Sequence, residues 1–110
     1  MNMNATIIQT TCASKTEAKN IAKVLIEEKL AACIQMWEVE SIYKWNDEFC
    51  DDFETLLNIK TTKENFDKIK SKIKELHSYD VPEIIEISIT NASKKYIKFI
   101  EDNTIWMTIF

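Results

Sequence analysis

One order of elements occurs twice in this chain, and the repetition limits the folds open to it. A strand ending in a threonine pair (Thr10-Thr11, then Thr61-Thr62) is followed each time by a capped helix and then by an apolar strand. Thr6 to Thr11 reads as the first strand, centred on Ile7 and Ile8. Ser14-Lys15-Thr16-Glu17 is a capping box, in which the serine accepts a helix amide and the glutamate bonds back. Ala18, Ile21, Ala22 and Leu25 follow at helical spacing, which predicts a helix to about Lys29. Ala31 to Met36 is a short apolar run of the buried-strand type. Val39 to Trp45 reads as a further strand with Tyr43 and Trp45 on alternate positions. Asn46-Asp47-Glu48 is the expected hairpin turn, made without the usual glycine. Phe53, Thr55, Leu57 and Ile59 alternate with more polar neighbours as the returning strand.

The second half repeats the scheme. Thr61-Thr62-Lys63-Glu64 reads as another capping box, and Phe66, Ile69, Ile73 and Leu76 form an apolar stripe. Pro82 opens a fourth strand in which Ile85, Ile87 and Ile89 face one way, and a third helix is expected from about Ser93 to Asp102. The apolar tail, Thr104 to Phe110, is expected to add a short strand or to dock on a partner. A doubled strand–helix–strand unit of this kind predicts an α+β ferredoxin-like plait, an antiparallel sheet with helices on one face. Residues 1–110 read as a single domain. The opposite face would carry Tyr43, Trp45 and residues such as Leu56, and copies of the chain would cover it most simply.

Composition removes several function classes. The 110 residues hold no glycine, which excludes phosphate-binding loops and dinucleotide fingerprints. All fourteen basic residues are lysines, so no side chain offers bidentate recognition of phosphate or carboxylate. The net charge of -4 argues against nucleic-acid and anionic-membrane partners. Cys12, Cys33 and Cys50 are odd in number and scattered, without the paired spacing of a structural zinc site. No long apolar run suggests a leader or a membrane span, and the cytosol is the expected location.

The densest group of polar functions is Glu75 to Ile85, which holds the only histidine and the only proline. Pro82 pushes Val81 toward extended backbone, so the second helix must end by about Tyr79. An imidazole, a phenol and carboxylates then crowd one turn.

Here the residues resemble a known family, the CutA divalent-cation tolerance proteins. Glu28-Lys29-Leu30-Ala31-Ala32-Cys33, Ser41-Ile42-Tyr43-Lys44-Trp45, and Glu75-Leu76-His77-Ser78-Tyr79-Asp80-Val81-Pro82-Glu83 match its three blocks, and Lys60-Thr61 matches its lysine–threonine pair. The resemblance implies a ferredoxin-like homotrimer with strands paired between subunits. Two departures stand out: Ser78 replaces a usual proline, which should loosen the turn, and Asp47 replaces a usual glycine, which should strain the hairpin tip. Some members bind copper through a cysteine that aligns with Thr10, two residues before Cys12, and through a second histidine that aligns with Leu76.

Each candidate has two readings. His77 is a metal ligand, or it caps helix two and bonds the turn. Cys12, near a strand–helix junction, is a ligand or a passive thiol. Cys33 reads as a small core residue, and Cys50 with Asp51 and Asp52 as a weak cation attractor or a solvated charge run. Tyr43, Trp45, Lys60, Tyr79, Asp80 and Glu83 are implied by the resemblance to meet at a cleft between subunits, as ligand walls or as interface anchors. The expected function is a cytosolic, trimeric, non-catalytic protein of metal tolerance that binds a divalent metal ion, copper foremost. The alternative is a trimeric regulatory or scaffolding module that takes a small molecule or a protein at the cleft. One histidine and no arginine leave little for an enzyme to use.

Overall fold

The computed structural model describes residues 4–105. Its elements are β1 (Ala5–Cys12), α1 (Lys15–Glu27), β2 (Cys33–Trp45), β3 (Glu48–Thr62), a 3-10 turn (Lys63–Asn65), α2 (Phe66–Leu76), β4 (Ile85–Ser88) and α3 (Lys94–Asp102). The sheet order is β2-β3-β1-β4 with every neighbouring pair antiparallel. This is the α+β plait that the doubled pattern predicts.

The core forms where the alternating strand positions meet the helix stripes. Ile8 and Cys12 of β1 and Leu57 and Ile59 of β3 pack with Ile21 and Leu25 of α1 and Ile69 and Ile73 of α2, all fully buried. Each such aliphatic side chain contributes roughly 1.5–3 kcal/mol on burial. The other face carries the intervening residues. Ile85 and Ile87 pair with Gln9 and Ile7 there and stay exposed. Cys33 lies opposite Lys60 and is only half-buried, so the core cysteine is Cys12 and not Cys33. α3 contacts β1 and β3, and its buried Ile100 stands apart from the main cluster.

Among the local outcomes that differ from the sequence expectations, β4 begins at Ile85, three residues past Pro82, and ends at Ser88, before Ile89. The two short runs before the hairpin are one continuous strand of 13 residues, because Trp37 and Glu38 keep register with Leu56 and Thr55. The returning strand begins at Glu48 and not at Phe53, since Trp45 already pairs with Glu48. The loop is therefore just Asn46 and Asp47, with φ of 51° and 64°, the paired positive values of a tight hairpin turn. The second capping box does not form. The Thr61 and Thr62 hydroxyls accept instead from the Nδ2 of buried Asn65, at 3.4 and 3.1 Å, and the chain enters α2 through a 3-10 turn. The first box does cap its helix, with Ser14 Oγ accepting the Glu17 amide at 3.1 Å. In the tail, the Ile105 amide donates to the Lys29 carbonyl at 2.8 Å, and residues 106–110, on which most of the tail expectation falls, lie outside the described residues.

Candidate functional site

α2 ends at Leu76, and the next residue turns its ring back toward the end of β1. His77 Nε2 donates to the Thr11 carbonyl at 2.7 Å, while Nδ1 accepts the Tyr79 amide at 3.0 Å. A carbonyl oxygen can only accept and an amide N–H can only donate. The proton therefore sits on Nε2, and both ring nitrogens are occupied. The Tyr79 ring leans on the imidazole at 4.8 Å between centroids. Ser78 does not leave this turn loose: its amide donates to Glu17 Oε2 at 2.8 Å, a bond that proline in its place has no N–H to make. The other oxygen of Glu17 accepts the Ala13 amide at 3.3 Å. One side chain thus ties the start of α1 to the turn after α2.

Cys12 completes this corner. Its Sγ lies 3.9 Å from His77 Nε2, and the donor atoms of Cys12, Glu17 and His77 all fall within 4.8 Å of one another. Burial, reinforced by the charges of Glu17 and Glu54, pushes the Cys12 thiol up to about 12. Glu17 feels an opposing desolvation, yet the hydrogen bonds from Ser78, the nearby His77 and the Ala13 amide hold its carboxyl below the usual range. His77 and Cys12 are the two metal candidates of the sequence, and the fold brings them together. Glu17 was legible only as a helix cap; the signal was that a capping carboxylate has a second oxygen to spare. Cys50 is different: its thiol donates to the Glu48 carbonyl at 3.7 Å, and it forms no ligand group with Asp51 and Asp52 among the described residues.

On the other side of the same turn lies a hollow of about 760 Å³. Tyr43, Trp45, Tyr79, Asp80 and Glu83 line it, as do Glu54 and Val81. Lys60 does not: it sits further along β3, where Nζ donates to the Tyr96 hydroxyl at 3.1 Å and lies 5.2 Å from that ring's centre. Glu54 falls on the outward register of β3, alternate to Leu57 and Ile59, yet it is 9% exposed. It accepts the Tyr79 hydroxyl at 2.8 Å, and Tyr43 donates to Asp52 at 2.7 Å. The bond to Asp52 raises the Tyr43 phenol to about 12, and burial followed by the bond to Glu54 raises that of Tyr79. Both rings are held as neutral donors.

A thiol, an imidazole and a carboxylate thus meet at one corner of an α+β plait, a donor set that could hold a borderline or soft cation. The comparisons with known proteins identify the family. The family model for the CutA1 divalent ion tolerance protein matches residues 6–103. The divalent-cation tolerance protein CutA of Thermus thermophilus is 40% identical over 99 residues, covering 89% of this chain and 96% of that protein. The crystal structure of CutA1 from Oryza sativa superposes with a TM-score of 0.90 at 34% identity, covering 94% of this chain and 95% of that one. A periplasmic divalent cation tolerance protein CutA from Archaeoglobus fulgidus gives 0.88 at 32% identity, covering 90% and 97%. The chain belongs to the CutA1 divalent ion tolerance family.

Proposed function

We propose that this chain is a non-catalytic, trimeric metal-tolerance protein of the cytosol that binds a divalent cation, copper foremost, at Cys12, Glu17 and His77. The observation that carries this reading is the meeting of three different donor atoms within 4.8 Å. A thiolate and an imidazole favour copper or zinc over magnesium or calcium, and the divalent affinity order puts copper ahead of zinc. A bound ion would supply charge that converts the Cys12 thiol to thiolate. Ligation through Nε2 would also require that nitrogen to give up its proton and the Thr11 carbonyl. The proton would then sit on Nδ1, facing the Tyr79 amide. Both costs favour modest affinity.

The same bonds support a non-catalytic role. The Cys12–His77 pair resembles a nucleophile and its base, but Nε2 already carries a proton and Cys12 is fully buried. Three unpaired cysteines suit a reducing compartment, and among the described residues no helix is long and apolar enough to cross a membrane. The trimer is supported by the hairpin, where Ile42, Phe49 and Phe53 are 63–70% exposed on one face, beside the edge that β2 forms among the described residues. A calorimetric copper(II) titration, with zinc as competitor, tests the site. One ion per chain is expected, lost in His77→Ala and in Cys12→Ser; binding unchanged in both variants would refute it. Sedimentation equilibrium tests the assembly, and a stable monomer at micromolar concentration would rule it out.

A second reading, a regulatory module that binds a small ligand, is favoured by the walled hollow between the hairpin and the turn. It does not compete with the metal corner for residues.

A further inference from the structure

We propose that the hollow beside Tyr79 is a recognition site for a small organic ammonium ion. The proposal rests on the second reading above, that this hollow takes a ligand, and names the ligand's class. The walls supply the first reason. Tyr43, Trp45 and Tyr79 offer three aromatic rings around about 760 Å³, a volume in the usual range of small-molecule sites. Aromatic faces attract a cation through the ring quadrupole, and a quaternary or alkylated ammonium suits them best because its charge is carried on an apolar surface.

Charge supplies the second reason. The ionisable carboxyl side chains lining the hollow are Glu54, Asp80 and Glu83, and no lysine lines it although the chain has fourteen basic residues, all lysine. An anionic ligand is therefore disfavoured. A bare metal ion is disfavoured as well: these three carboxylates do not converge into a ligand group, and the one such group among the described residues is the Cys12 corner. The site calls for a cation wide enough to touch separated carboxylates and rings together.

The third reason is Glu54 itself. It is 9% exposed on β3, far more buried than its exposed neighbours Asp52 and Phe53, and it lines the hollow. Tyr79 is its one hydrogen-bond donor among the described residues, engaging Oε2 and leaving Oε1 without a protein partner. Oε1 is not sealed from solvent, so Glu54 presents the hollow with a carboxylate oxygen that the protein leaves open to an arriving cation. The Tyr79 ring is anchored at both ends, through its amide to His77 and its hydroxyl to Glu54, so the wall is preorganised.

The test is an amide and indole NMR titration of the isolated protein, in its own oligomeric state, with choline and with 3,3-dimethyl-1-butanol. The second compound has the same shape without the charge. Choline is expected to shift the Trp45 indole and the Tyr43 and Tyr79 amides saturably, and the neutral compound to bind at least tenfold more weakly. Glu54→Gln, which keeps an acceptor for Tyr79, and Trp45→Leu on the exposed rim should each weaken choline at least tenfold. Equal binding of the two compounds would overturn the ammonium assignment while leaving a ligand site. Absence of shifts with either compound would overturn both the assignment and the ligand reading of the hollow. The copper titration at the Cys12 corner is a separate measurement, made without choline, and none of these outcomes decides it.

Discussion

His77 and Tyr79 stand two residues apart on one turn, yet their surroundings are opposite. His77 spends both nitrogens inside the protein, on the Thr11 carbonyl and the Tyr79 amide. Tyr79 spends its hydroxyl on Glu54 and offers its ring to a hollow. The difference teaches that polar residues crowded in one turn need not form one site. Here the turn divides them: the inner corner is closed by hydrogen bonds and opens only to something that repays their loss, while the outer wall is already shaped.

The comparison is broken most forcefully at His77. Its replacement by alanine leaves a part-buried carbonyl and amide unpaired and removes a ring packed on Tyr79. The expected loss is about 2–4 kcal/mol of unfolding free energy, read by urea titration. Tyr79→Phe removes a single hydroxyl bond and should lose only about 1 kcal/mol in the same assay. Equal losses would mean that the inner corner is no more tightly built than the outer wall.

A smaller effect sharpens the role of Glu17 as the strap between α1 and the turn. Its carboxyl is held below its ordinary value in the folded protein. The stabilisation is therefore present above the ordinary carboxylate range and is lost as pH falls through the lowered folded value. Thermal unfolding from pH 7 down to pH 3 should show a drop that is shallower in Glu17→Gln. Parallel curves would mean that the strap carries no net stabilisation.

The smallest effect lies at the hairpin tip. Asp47 holds φ at 64° without being glycine. Asp47→Gly should relieve that conformation and raise stability by about 0.5–1 kcal/mol, measured by the shift in urea midpoint. A loss would show that the aspartate side chain compensates its backbone.

Much of the fold was legible in the residues. The capped start of α1, the stripe of α2 and the alternation in β3 from Leu57 to Ile59 are local patterns that the structure keeps, whereas Phe53, expected on the drier face, is exposed and Glu54 beside it is buried. The continuity of β2 was hidden because Trp37-Glu38 interrupts the apolar run, and only pairing with β3 shows the ladder passing through. The second capping box is absent although Thr61 and Glu64 have the right spacing, because Asn65 competes for the hydroxyls from inside the fold. At the site, His77 and Cys12 were visible as residue types. Glu17 was hidden by its helix-capping role and Glu54 by its outward register, since burial at a turn folded back over a sheet leaves no trace in a periodicity. Lys60 was drawn into the cleft group by motif alone, and in the chain it belongs with Tyr96.

The central claim is that the inner corner exchanges its hydrogen bonds for a cation, and the direct test is nitrogen-15 NMR of the His77 ring during titration with zinc, a diamagnetic stand-in for copper. The predicted result is that Nε2 loses its proton at one equivalent per chain, with Nδ1 becoming protonated and the Tyr79 amide signal moving in step. A ring that keeps its Nε2 proton at saturating zinc would contradict the account and make His77 a structural residue of the turn.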